Sequence, residues 1–403
     1  MTTSKFAATS HGSYLERRNS LLQSIDELAP TLIEVIPQLE QAGRLPMDIA
    51  TALASQGLYS ILTPKSLGGL ELDVHTFVLA IERLARYEAS CGWCAFISNT
   101  SALLAGYLSP ESACKVFNRP DLKFAGAFAP RGRALRTIRD GVSGYLVSGR
   151  WQWASGAANA DYVVAGCMVL DDAGNADRLP SGSINVHSML LDKAQVQILN
   201  NWTAMGLRGS GSGEFLVENA FVPADRSASI MSDTPLPLPL YKFPIFCLLA
   251  LGVAAVALGV ARLAIESLVT LSHEKSPQGS QRPLAERQSI QLQVARSEAR
   301  LRAARQFLLS TVDVAWAAAD DNRLVLDIRR DLRLATTYAT KEAVTVVEAM
   351  YDCAGGDAVF ASSPLQRCLR DVRVASQHVM VSESTYELTG RLFLDLPVKL
   401  ELL

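Results

Sequence analysis

Net charge is nearly absent from this sequence: 38 Lys and Arg almost cancel 40 Asp and Glu, leaving −2. With a pI near 6.3, there is no electrostatic case for nucleic acid. Cysteine is sparse, and its seven residues are odd in number and scattered. That argues against a disulfide framework and for a reducing, cytoplasmic compartment. Met1 to Ser20 carries no apolar run, so it lacks the core of a secretory signal. No cluster has metal-ligand spacing, so no metal is expected. Of five histidines, His11, His75, His187 and His273 sit in no motif. Internal repeats and low-complexity segments are missing too.

Apolar residues are plentiful, at 49% against 19% charged, enough for a large core and two or three structural units. Phe243 to Ala261 is nineteen residues without a charge, close to the length of a membrane span. It holds Gly252, Gly259 and five alanines and runs on through Arg262, Glu266 and His273. We read it as a helix apolar all round, at the centre of a bundle or an oligomer, and expect no membrane.

Residues 14 to about 118 show helical spacing, as in Leu21, Leu22, Ile25 and Leu28, and then Phe77, Ile81 and Leu84. From about 122 the pattern becomes short apolar or alternating runs: Phe124–Phe128, Gly144–Val147, Tyr162–Leu170, Ser183–Leu191, Val196–Leu199 and Glu214–Val222. These predict a small antiparallel sheet. Beyond the proline-rich Thr234–Leu240, long helices are predicted over Leu251–Ser272, Ala285–Ala319, Asp327–Met350 and Ser376–Leu394, with the main break at Ser276–Pro283. The expected fold is α+β in three parts: a helical domain at 1–122, a β domain at 123–233 and a helical bundle at 234–403.

Four motifs stand in order: Leu45-Pro46 through Gly68-Gly69; Gly149 to Gly156 with Ala160-Asp161; Gly206 to Ser212 with Phe221-Val222-Pro223; and Gly355-Gly356 with Arg367 and Arg370-Asp371. Together they resemble the acyl-CoA dehydrogenase superfamily. The family's dehydrogenases carry a Glu base eight residues past the Asp. Here that position is Val379, beside His378. The other family position for a base, at the start of the first C-terminal helix, is empty too: Asp233 is the only acid between Arg226 and Glu266. Gly126 to Pro130 with Gly132-Arg133-Ala134, and Ser90 to Trp93, resemble the two-component flavin monooxygenases. Those are the oxygenase components for hydroxyphenylacetate, steroid-derived phenols, dibenzothiophene and indole.

The resemblance implies an enzyme using reduced flavin (FMNH2 or FADH2) and O2 through a C4a-hydroperoxyflavin. A separate NAD(P)H-dependent flavin reductase would supply the flavin. It implies a small aromatic or heteroaromatic substrate, with an indole-type ring as one candidate, and a homotetramer or homodimer. Ser155 would hydrogen-bond flavin N5, and Trp153 would lie against the ring. Strand alternation places Trp151, Trp153 and Ser155 on one face. Phe128, Ala129 and Pro130 would contact the flavin, while Arg282, Gly355 and Gly356 would hold its ribityl or phosphate end. His378 would be the acid/base, titrating near working pH. Trp93 and Val379 would wall a dry substrate pocket. Plainer roles stand beside these: a turn serine, a core tryptophan, a structural histidine, a glycine helix cap.

Two motifs fail on context. Cys91 to Cys94 has CxxC spacing but no preceding strand. Gly209 to Gly213 leads into a strand rather than a helix, against a dinucleotide loop. Two rival functions remain. One is a dehydrogenase with its base moved to Glu383 or Glu387, which on one helix would share a face with Val379. The other is a non-catalytic scaffold that binds no flavin.

Overall fold

A computed structural model describes residues 14–399 except 172, 277, 278, 280 and 322. His11, most of the Met1–Ser20 segment and part of the Ser276–Pro283 break therefore lie outside the described residues. Six helices come first: α1 (Tyr14–Glu34), α2 (Ile36–Ala42), α3 (Met47–Ser55), α4 (Val74–Tyr87), α5 (Ala89–Ser101) and α6 (Pro110–Val116). Side-chain carboxylates cap two of them. Asp73 accepts from Thr76 N at 2.7 Å at the start of α4, and Glu88 from Cys91 N at 2.6 Å at the start of α5. Every residue of α5 is buried.

Seven strands follow: β1 (Phe124–Arg139), β2 (Val142–Trp151), β3 (Tyr162–Leu170), β4 (Val186–Asp192), β5 (Gln197–Leu199), β6 (Glu214–Pro223) and β7 (Ser227–Ala228). They form one sheet in the order β5-β6-β2-β1-β3-β4-β7. Its pairs are antiparallel except β1 with β3, which run parallel. β1 runs well past the expected Phe128. Its register shifts between Ala127 and Gly132, and the strand continues to a tight turn at Asp140-Gly141, both at positive φ. The second half alternates arginines with apolar residues, which hid it from an apolar-run reading.

The C-terminal helices are α7 (Pro239–Lys242), α8 (Ile245–Glu274), α9 (Gln288–Asp320), α10 (Leu326–Ala354), α11 (Pro364–Ala375) and α12 (Glu383–Phe393). Of these, α7 to α11 share one continuous core with α1 to α5, while the sheet has its own. The uncharged helix is α8. It is the one described helix long and apolar enough to cross a membrane, and 89% of that window is buried inside the chain. Its burial is therefore accounted for within one chain and requires no partner copy.

The helix expected over Ser376–Leu394 is broken. α11 stops at Ala375, a 3-10 turn spans Val379–Val381, and α12 starts afresh at Glu383. His378 makes the break, since its Nδ1 accepts from Met380 N at 3.3 Å. Val379 thus lies on a different element from Glu383 and Glu387, so the shared helix face does not exist.

Small residues set how closely α8 packs. A Cβ on Gly259 would stand 2.3 Å from the backbone oxygen of Glu82 in α4. Gly259→Ala should therefore destabilise the chain by about 1–3 kcal/mol. Urea unfolding would read this as a lower midpoint at unchanged slope; an unmoved midpoint would show that α4 and α8 separate freely.

Candidate functional site

The site begins where β2 ends. Trp151 is fully buried, stacked on Phe215 at 4.8 Å, with its indole N–H donating to Gly166 O at 2.8 Å. Trp153 has φ 64° and is 63% exposed, whereas Ser155 is only 2% exposed. The expected alternation over 151, 153 and 155 therefore fails. The left-handed backbone at Trp153 turns its ring outward, and Ser155 tucks in beyond it. Ala154 N and Gly156 N, donating to Gly213 O and Ser210 O at 2.9 Å each, hold this turn against the 207–213 loop.

Four polar groups run inward from there. Trp93 Nε1, on α5, donates to Ser155 Oγ at 2.9 Å. Ser155 Oγ is 2.6 Å from Ser212 Oγ, which is 2.6 Å from Ser210 Oγ, which donates to Leu207 O at 2.6 Å. The direction of this chain follows from counting protons. Three hydroxyl protons must fill three short O···O contacts, and the last acceptor is a carbonyl with no proton to give. So Ser210 donates to Leu207, Ser212 to Ser210, and Ser155 to Ser212. Ser155 is left with an acceptor lone pair and no spare proton.

The C-terminal signature fixes the far end. Asp371 Oδ1 accepts from Leu207 N at 2.6 Å, and Leu207 has φ 48°. A Cβ on Gly206 would stand 2.2 Å from Arg370 O, so only glycine lets the loop seat on α11. Arg370 also bonds Glu40 and Gln366 at 2.7 Å each. Burial, then the nearby Glu88 charge, push Asp371 up to about 7, against the pull of the Leu207 N–H and Arg367.

His378 stands on the other side of Trp93, their rings 6.0 Å apart and edge-on. Because Nδ1 accepts from Met380 N, the neutral ring carries its proton on Nε2. Burial, and then the Arg333 charge, push its pKa down to about 4. The imidazole is therefore neutral at pH 7 and does not titrate near working pH as expected. Arg333 of α10 is itself only 2% exposed.

Other expected site residues lie apart or differ in setting. Val379 is 62% exposed, so within one chain it is not a dry wall. Phe128 to Pro130 occupy the β1 register shift. The Phe128 and Ala129 carbonyls pass close over Gly166, which also receives the Trp151 bond, so this segment borders the site. Gly355 and Gly356 lie at the C-terminal end of α10, about 33 Å along the helix from Arg333. Lys275 ties that end to α8 through Ala354 O at 2.7 Å and Asp357 at 2.8 Å. Arg282 is on the nearby exposed loop, 3.9 Å from Glu286. These three residues do not join the Ser155–His378 cluster. The relocated-base candidate Glu383 is exposed and paired with Lys341 at 2.8 Å. Cys91 and Cys94 are buried with raised pKa, which leaves no thiolate for redox work. A cleft of about 590 Å³ shares no residue with the cluster and is lined by ion pairs such as Arg262–Glu298 and Arg305–Glu82.

Sequence reading missed Ser210, Ser212 and Arg333 as site residues. The Gly-Ser composition of the loop was the only available signal for the serines. A charged residue in a helical pattern gives none.

An outward-facing indole two residues from a buried acceptor oxygen fits a flat aromatic group that carries an N–H. The comparisons agree. Residues 16–111 match the acyl-CoA dehydrogenase N-terminal domain family, and 251–383 the C-terminal domain family. Indole-3-acetate monooxygenase of Pseudomonas putida is 30% identical over 88% of this chain and 89% of its own. The flavin-dependent monooxygenase oxygenase subunit HsaA of Rhodococcus jostii is 27% identical over 94% and 99%. Among solved structures, XiaF from Streptomyces sp. with FADH2 and glycerol superposes with TM-score 0.86, at 25% identity over 95% and 97% of the chains. The chain belongs to the acyl-CoA dehydrogenase superfamily, in its branch of flavin-dependent monooxygenases. Within that branch it is an oxygenase component, an oxidoreductase working with reduced flavin.

Asp371 has a pH signature. Its folded value of about 7 stands above the usual 3.8. The stability it contributes is present below about pH 4 and lost as pH rises through 7. Asp371→Asn keeps an acceptor for Leu207 N–H and cannot titrate. Stability relative to wild type should then shift in favour of the variant by on the order of a few kcal/mol between pH 5 and pH 8. Urea unfolding at both values checks it, and a constant difference would mean Asp371 does not titrate in that window.

Proposed function

We propose that Ser155, Trp153 and His378 form the reacting end of this oxygenase, with Phe128 to Pro130 bordering the flavin. The observation that carries the proposal is the one-way serine chain. Because every hydroxyl proton is committed inward, Ser155 offers an acceptor, the partner that the N5–H of a reduced flavin needs in order to keep its proton. When bound, the reduced flavin and O2 supply the activated oxygen; the protein supplies position and exclusion of water. Trp153 presents an open indole face for the flat ring. Neutral His378 holds a proton on Nε2 to donate, and it can accept one only when its surroundings no longer penalise the charge.

A small aromatic or heteroaromatic substrate of indole type suits the edge-on Trp93–His378 pair. It is supported by relatives named as indole-3-acetate monooxygenases in Pseudomonas putida and Acinetobacter baumannii. The flavin is FMN or FAD, since relatives bind either. As an oxygenase component the protein draws it from a separate flavin reductase. A homodimer or homotetramer is the natural setting for Arg282 and Gly355-Gly356 to hold the far end of a neighbouring chain's flavin. Their separation from His378 and Arg333 supports this, as does the open space around both glycines.

Removing the direction of the chain is the test. Ser155→Ala deletes the acceptor, and Ser212→Ala leaves the Ser155 proton without its fixed partner. Each should raise the hydrogen peroxide released per reduced flavin consumed, by roughly tenfold for Ser155→Ala and less for Ser212→Ala. Unchanged coupling in both would remove the serine chain from the mechanism. His378→Ala should lower product formation by about 100-fold or more with little change in reduced-flavin affinity. A loss confined to folding would return His378 to a structural role.

A further inference from the structure

Arg333 is a buried cation without an anion. It is 2% exposed, and among the described residues it makes no ion pair. Its guanidinium reaches only Met380 Sδ at 3.7 Å and Thr385 Oγ1 at 3.4 Å, both weak partners, and its Nε has none. One turn further along the same face of α10, Thr337 Oγ1 is fully buried and also without a partner. Guanidinium cannot shed its charge by losing a proton. Leaving one desolvated and unpaired is among the costlier arrangements a fold can hold. The groups that face it are Cys247 from α8, His378 and Met380 at and just after the break before α12, and Thr385 from α12, and none of them carries a carboxylate.

The position of this unpaired cation relative to the serine chain carries a meaning. Arg333 acts on His378, His378 stands edge-on to Trp93, and Trp93 donates to Ser155. A planar substrate lying along Trp93 and His378 would have one end toward Ser155 and the other toward Arg333. We propose that Arg333, with Thr337 as a second donor, anchors the carboxylate of the substrate, which makes that substrate an aromatic carboxylate rather than a neutral ring. The proposal rests on the oxygenase reading for the ring end; the anchor itself rests on Arg333 alone.

Equilibrium binding to the full chain without flavin tests it, using indole-3-acetate and its uncharged amide as a matched pair. Wild type should bind the acid at least about 100-fold more tightly than the amide. Arg333→Met should bind the two equally and, unliganded, should melt no lower than wild type, because it removes a buried unpaired charge at similar volume. Arg333→Lys should keep a preference for the acid reduced by about tenfold, having charge without the bidentate fork. It carries the test if the methionine variant fails to fold. Equal binding of acid and amide by wild type, or a preference that survives Arg333→Met, overturns the anchor. The two readings separate on turnover. An Arg333-dependent preference with no product from reduced flavin and O2 leaves the anchor standing and sinks the oxygenase role at this site. Equal KM for acid and amide with product from both does the reverse.

Discussion

Leu207 holds a left-handed backbone that a branched side chain does not adopt without support, and the Asp371 carboxylate supplies that support through the Leu207 N–H at 2.6 Å. Together with Arg370 Nη1, which donates to Met205 O, this bond ties α11 to the loop leading into β6. Because the Leu207 N–H is held, its carbonyl points at Ser210. That gives the three serine protons a terminus and fixes the direction of the chain as far as Ser155. Without the carboxylate the Leu207 N–H would lose its partner, and the hold on the carbonyl would rest on Ser210 N and Trp202 Nε1, each at 3.0 Å. A residue far from the turn after β2 thus helps set the hydrogen bond that turn can offer.

The same logic explains why the site tolerates so much buried polarity. The three serines and the Trp93 indole N–H are buried or nearly so, yet each hydrogen is committed to a partner. A fully satisfied network costs little and rigidifies what it touches. Arg333 and Thr337 break that rule a short distance away, and they do so together on one helix face. The site therefore has a finished end at the serine chain and an unfinished end at α10. The first rigidifies the turn after β2; the second is where we propose that a substrate carboxylate binds.

Much of this was legible in the sequence, and the failures have physical causes. β3 is legible to its observed limits, because a continuous apolar run bounded by Asp161 and Asp171 has few alternatives. The central helix α8 is legible from its lack of charge, which fits the centre of a bundle or of an oligomer alike; the fold buries it within the bundle of one chain. Period-two alternation failed at Trp153, since one left-handed residue flips every side chain after it. The helix through His378 was drawn too long. No proline or glycine marks the break, which comes from an imidazole bonding to its own turn and from Ser382 at the next N-cap. Asp371 belonged to a recognised signature, but its partner is 164 residues away, a distance no local pattern carries. Arg333 could not be found at all, because an arginine on a helix looks solvated until its surroundings are known.

On the turn after His378 it is Met380, not the exposed Val379, that meets the buried cation, 3.7 Å from the Arg333 guanidinium. A carboxylate at position 380 would sit beside a buried cation and a neutral imidazole. It would offer Arg333 a permanent counter-ion and favour a proton on His378, since an opposite charge nearby raises the pKa of an imidazole. Both groups would then be committed before any substrate arrived. With methionine there, Arg333 keeps its unmet demand and His378 stays neutral. The unpaired arginine and the neutral imidazole are thus two sides of one electrostatic arrangement, and the substrate carboxylate we propose would complete its charge balance.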